Sequence, residues 1–158
     1  MIVNEKTIEC KIRKLLENEI SALCKEAGFE IVILDNSAIA DIIICVNGDT
    51  QKLFFIEVKY YKPGNNRIGF GQKGGGIQPE ILMKLPDYLN SNMRWIFCRE
   101  EDDAFYVLQN DECCNFVAGN KISLDKQNNF RPDLFENTEP LSELDLIDFL
   151  FIWISSTL

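Results

Sequence analysis

The chain contains no histidine. That absence excludes Ser-His-Asp and Cys-His triads, which need an imidazole base. It excludes zinc sites that use histidine, whether structural or catalytic. Any nuclease that depends on a histidine general base is excluded as well. If the protein is an enzyme, its chemistry falls to carboxylates, lysine, tyrosine, cysteine or a metal held by oxygen. The six cysteines include no CxxC pair, so neither a zinc ribbon nor a thioredoxin motif is indicated. Cys24, Cys45 and Cys98 lie inside apolar runs, where a free thiol behaves as a small hydrophobe. Such usage suits a reducing compartment. No signal peptide and no apolar run of roughly 18 residues is found, so the expectation is a cytoplasmic protein without a membrane span. No internal repeat or low-complexity linker divides the chain.

The 158 residues suit one compact domain, 1–158. The formal net charge of −9 is unevenly spread. Residues 1–57 carry 6 basic and 10 acidic side chains, residues 58–99 carry 7 and 2, and residues 100–158 carry 3 and 13. The basic middle suits a polyanionic partner even in an acidic chain, although each part also reads as a plain solvated face.

Apolar residues at helical spacing predict a first helix over 5–27, with Ile8, Ile12, Leu15, Leu16, Ile20, Leu23, Cys24 and Ala27 on one stripe. Gly28 stands where a C-terminal cap belongs. Strands are predicted over 29–34, 39–46 and 53–60, with a hairpin at Asn47-Gly48-Asp49. A Gly-rich basic loop spans 61–76. A second helix is predicted from Pro79 to about Leu89, which Pro86 can shorten or kink. Two more strands, 93–98 and 104–108, flank an acidic turn. Residues 110–140 read as mostly irregular. A last helix, 141–154, ends apolar almost all round, which suits the core or a homodimer interface. This order, α-β-β-β-α-β-β with a tail helix, predicts an α/β (α+β) fold with a mixed sheet flanked by helices.

Two features of the strands carry chemistry. Asp41 interrupts an apolar strand and needs a partner, because an unpaired buried charge is costly. Glu57 and Lys59 sit at i and i+2 of the third strand, so they share a face, while Ile56 and Val58 point to the other face. If the hairpin closes around a three-residue turn, Gly48 to Thr50, Asp41 lies opposite Glu57 with Cβ atoms about 5 Å apart. A two-residue turn would shift that register. Carboxylates so close repel unless a cation neutralises them or one takes a proton. Two carboxylates and backbone carbonyls suit Mg²⁺ or Mn²⁺. A lysine beside them can orient or help deprotonate a water, or neutralise charge on a phosphate. Glu-x-Lys alone is a weak signal: Glu9-Cys10-Lys11 repeats it on a helix, where it reads as a decoy.

With Asp41, Glu57 and Lys59 in this element order, the sequence resembles the PD-(D/E)XK nuclease superfamily, which includes restriction endonucleases and Holliday junction resolvases. The resemblance covers about residues 5–109, a nuclease-like α-β-β-β-α-β core. Residues 110–158 remain as an acidic segment with a C-terminal packing helix. The resemblance implies that Asp41 and Glu57 bind Mg²⁺ (or Mn²⁺) and that Lys59 assists the attacking water. Ala40 stands where the motif has its proline. Some members add a glutamate from the first helix. Glu19 falls within the apolar stripe at about 100° per residue, so it either reaches the site or snorkels to water. Glu5 and Glu9 also lie near the stripe. The family often carries a glutamine or lysine after the third strand, for which Gln72, Lys73 and Gln78 are candidates; Gln78 can equally cap the helix at Pro79.

Gly69-Phe70-Gly71-Gln72-Lys73-Gly74 formally matches GxGxxG, but it follows a third strand at a distance and is not a dinucleotide site. Its glycines permit close approach to a phosphate, with Lys62, Arg67, Gln72 and Lys73 as expected nucleic-acid contacts. The expected activity is divalent-metal-dependent endonucleolytic hydrolysis of DNA. An RNA-cleaving toxin domain and a non-catalytic protein-binding module on the same fold are the alternatives.

Overall fold

The structure is a computed structural model, and it describes residues 3–35, 40–49, 51–61, 86–99, 104–119 and 137–156. It is an α+β fold with a five-stranded mixed sheet of order β1-β2-β3-β4-β5. The strands are β1 (Glu30–Leu34), β2 (Ile42–Asn47), β3 (Lys52–Tyr61), β4 (Met93–Arg99) and β5 (Ala104–Gln109). All neighbours are antiparallel except β3 and β4, which run parallel. A parallel pair needs a long crossover. Residues 62–92 supply it.

The first helix begins where Asn4, in extended conformation, caps it by accepting the Thr7 N–H at 3.0 Å. It runs as α1 (Glu5–Leu15), a π turn (Leu16–Ile20) and α2 (Ser21–Glu26), and ends ahead of Gly28, whose φ of 91° favours glycine. The π turn was not expected from the periodicity. It closes hydrogen bonds from i to i+5 and so takes up about one extra residue. The phase beyond it lags an unbroken α-helix. Ile20 and Cys24 are thereby kept on the core face, while Glu19 and Ala27 are exposed. Glu19 therefore does not lie on the buried stripe.

The even-numbered side chains of β2 and β3, including Ile42, Ile44, Phe54, Ile56 and Val58, form the main core with Ile12, Leu16 and Ile20. The C-terminal helix closes the same core. It presents Leu146, Leu150, Trp153 and Ile154, and Trp153 meets Phe54 edge to face at 5.0 Å between ring centroids. Each fully buried large apolar side chain contributes roughly 1.5–3 kcal/mol, so this face carries most of the hydrophobic stabilisation. The predicted all-round burial of that helix is only partial, because Leu144 and Ile152 are exposed.

The other sheet face is covered over β4 and β5. There Phe55, Met93, Trp95, Phe97, Tyr106 and Leu108 pack with Ala40 and Cys113. Two helices lie on this side. Pro86 precedes the first, α3 (Asp87–Ser91), so the proline starts a helix here, and that helix ends at Ser91, two residues beyond the predicted Leu89 end. Residues 79–85 lie outside the described residues. The second, α4 (Asn110–Gly119), corrects the expectation of irregular structure for 110–119, while 120–136 lie outside the described residues. It has no apolar stripe to announce it; among its described side chains, at 110–116, Cys113 is the buried apolar one, with Cys114 and Phe116 partly buried. The last helix, α5 (Glu143–Ser155), starts with a capping box between Ser142 and Asp145. Among the described residues, no helix is long and apolar enough to cross a membrane.

Candidate active site

The β2–β3 ladder runs from Val46↔Lys52 to Ile42↔Ile56. That is the register of the three-residue turn, and it makes Asp41 and Glu57 the next positions in line. The ladder stops there for a chemical reason. Phe55 donates its N–H to Asn92 on the β4 side, so the even-numbered residues of β3 aim theirs toward β2. The Val58 N–H would meet a main-chain carbonyl at residue 40 if pairing continued. Instead it donates to Asp41 Oδ2 at 2.8 Å. The carboxylate replaces the ladder acceptor, and β2 and β3 part at this point.

Glu57 and Lys59 project from β3 on the face opposite the main core. Lys59 Nζ donates to Glu57 Oε1 at 2.8 Å, and the two side chains are only 8% and 13% exposed, respectively. On β4 their register partners are Trp95 and Phe97, whose rings hold water away. Trp95 is itself fixed, its Nε1–H donating to Asn110 Oδ1 at 2.9 Å, and Asn110 donates on to Asn90. A third carboxylate arrives from the first turn of α1, where Glu5 Oε1 lies 3.5 Å from Lys59 Nζ.

Glu57 and Glu5 thus flank the Lys59 ammonium, and the charge of Asp41 also acts on it. Burial raises the Glu57 carboxyl to about 7; Lys59 opposes this, and the nearby charges of Asp41 and Glu5 reinforce it. Burial pulls Lys59 down, but Glu57, Glu5 and Asp41 outweigh it and hold the ammonium above the ordinary lysine value. Burial is the main cause at Glu57, whereas the neighbouring carboxylates hold Lys59 up, and together Asp41, Glu57 and Glu5 leave a local surplus of negative charge over the one ammonium.

That surplus, and the donor set, fit a hard cation. Asp41 and Glu57 each offer a carboxylate oxygen beyond the bond already described, and the Val58 carbonyl lies on the same edge as its N–H. Among the described residues, no group of three or more Asp, Glu, Cys or His is placed to hold a metal by side chains alone. Magnesium asks for less, since it is commonly bound by one or two carboxylates and keeps several waters.

The structure therefore brings together Asp41, Glu57 and Lys59. It does not bring Glu19, which is exposed and lies about 20 Å along the helix from Glu5. Glu5 is the helix glutamate that touches Lys59. The Glu9-Cys10-Lys11 repeat serves elsewhere: Glu9 pairs with Lys6 and Arg13, and Lys11 pairs with Glu143. Gln78, Lys62, Arg67, Gln72 and Lys73 lie outside the described residues. A residue missed in the sequence is Arg13, which donates to the Asp41 carbonyl at 2.7 Å. Its signal was the i, i+4 spacing from Glu9, which by itself also describes a surface pair.

No protein-family model matches the chain. A search of the curated proteins also finds no match.

Proposed function

We propose that this protein is a divalent-metal-dependent endonuclease with a restriction endonuclease-like core, hydrolysing phosphodiester bonds in DNA. The observation that supports this reading most is the convergence of Asp41, Glu57 and Lys59 where β2 and β3 separate. Asp41 and Glu57 are the residues that would hold Mg²⁺ or Mn²⁺, with the Val58 carbonyl beside them. When bound, such an ion polarises the phosphodiester and makes water a stronger nucleophile near neutral pH.

The chain's own residues supply the rest. Asp41 is held in place by the Val58 N–H. Glu57 offers its carboxylate from a largely buried position beside Trp95 on β4, where electrostatic interactions are stronger than in water. Lys59 is kept protonated by its neighbours, so its role in this reading is to donate hydrogen bonds and offset charge building on the phosphate. Pairing of β2 with β3 stops at Ile42↔Ile56, beside all three residues.

The test is cleavage of plasmid, branched DNA and RNA by purified protein with Mg²⁺ or Mn²⁺, with chelator as control. Lys59→Ala is expected to lower the rate by about 10²–10³, the usual cost of losing one transition-state donor. No cleavage of any substrate, with Glu57→Ala indistinguishable from the parent, would sink the reading. Cleavage of RNA alone would favour the ribonuclease alternative.

A further inference from the structure

Arg13 spans both ends of the connection between β1 and β2. Its Nη1 donates to the backbone carbonyl of Leu34, the last residue of β1, at 3.1 Å. Its Nη2 donates to the carbonyl of Asp41, the residue before β2, at 2.7 Å. One planar guanidinium therefore ties the end of β1 to the residue that precedes β2. The plane is set by Glu9, one helical turn earlier, which accepts from Nε at 3.1 Å. Glu9 is only 6% exposed. A carboxylate buried so deeply needs cationic partners, and it has Arg13 and Lys6, whose Nζ lies 3.0 Å from both its oxygens.

This arrangement does something that the ladder does not. Pairing of β2 with β3 ends at Ile42↔Ile56, so the backbone at Asp41 receives no ladder support. The Asp41 side chain is committed to Val58, and its carbonyl is committed to Arg13. Rotation of the peptide at Asp41 would swing the carboxylate off the Val58 N–H and away from Glu57.

We propose that Arg13, oriented by Glu9, is a positioning residue for this site: it holds the Asp41 backbone so that the carboxylate stays on the Val58 N–H and faces Glu57. Its consequence for metal affinity rests on the reading of Asp41 and Glu57 as ligands. A lysine cannot replace it, because one ammonium lacks the rigid fork that reaches two carbonyls and a carboxylate in one plane.

The experiment uses the full chain with Arg13→Ala, Arg13→Lys and Glu9→Gln. In metal-free protein, amide hydrogen exchange at Val58 should quicken about tenfold in Arg13→Ala, the loss of roughly one charge-assisted hydrogen bond, while β4–β5 amides keep their rates. In Mn²⁺ titrations the same variant should bind about tenfold more weakly, with cleavage at saturating metal within about threefold of the parent. Arg13→Lys and Glu9→Gln should fall between. Unchanged exchange at Val58 would overturn the proposal. So would equal acceleration at Val58 and across β4–β5, which marks general loosening. Unaltered Mn²⁺ affinity in a folded Arg13→Ala protein would overturn it too. If the parent itself binds neither Mn²⁺ nor Mg²⁺, the nuclease reading fails, and the exchange rates alone decide the clamp.

Discussion

The carboxylate of Asp41 accepts the backbone N–H of Val58 at 2.8 Å, standing in for a main-chain carbonyl. Two jobs fall on this side chain, and substitution can separate them. Asp41→Asn keeps an oxygen for the Val58 N–H but removes the charge. Its unfolding midpoint in urea should stay close to the parent, while calorimetric binding of Mn²⁺ is lost. Asp41→Ala leaves the Val58 N–H without its acceptor and should cost about 1–3 kcal/mol. Equal stability of the two variants would show that the hydrogen bond contributes nothing.

Glu57 should make the metal-free protein less stable at mildly alkaline than at mildly acidic pH. Its carboxyl is raised from 4.5 to about 7 in the fold, chiefly by burial. Between those values the folded state holds a proton that the unfolded chain has lost, so stability falls as pH rises through this window. The raised lysine acts only in the alkaline range, and Asp145, lowered by its bonds to Ser142, acts only in acid. Unfolding free energies from urea titrations with chelator at about pH 5.5 and pH 8 should differ by on the order of 2 kcal/mol. Glu57→Gln should flatten that difference, and saturating Mg²⁺ at the higher pH should recover it. A parent protein insensitive to pH over this range would argue against the buried, acid-surrounded carboxyl.

Trp153 should be the most costly single truncation in the C-terminal helix. It is 7% exposed and closes the main core against Phe54. Trp153→Ala is expected to lose about 3–5 kcal/mol, measured by chemical denaturation. Ser142→Ala removes the cap of the same helix and should lose about 1 kcal/mol. If the two substitutions cost the same, the helix is held by its start and not by its packed face.

Asn110 should matter to the site although it is far from solvent and carries no charge. It accepts from the Trp95 indole and donates to Asn90. Asn110→Leu removes the acceptor of the buried Trp95 indole N–H and a donor to the half-buried Asn90, and should cost about 1–3 kcal/mol. Because Trp95 stands opposite Glu57, a changed tryptophan emission should accompany weaker Mn²⁺ binding. Destabilisation with unaltered Mn²⁺ binding would confine Asn110 to a structural role.

Local rules made much of the site readable. Strand alternation puts Glu57 and Lys59 on one face whatever surrounds them, and the hairpin arithmetic puts Asp41 in line with Glu57. Gly28 and the capping residues of the first helix are equally local, as is the exclusion of imidazole chemistry. These depend on dihedral angles and on neighbours a few residues apart. The rest needed distant parts of the chain. A π turn relocated Glu19, because core packing of Ile20 and Cys24 overrode ideal helical phase. Glu5 met Lys59, and Arg13 reached the carbonyls of Leu34 and Asp41, only because α1 lies against β3 and the facing ends of β1 and β2. Helix α4 lacked an amphipathic stripe, and its place was set by Trp95 and Asn110. Sequence by itself determined which side chains share a strand face and which chemistry is excluded. Tertiary structure decided which of many carboxylates meet, because charges on separate elements interact only when the fold removes the water between them.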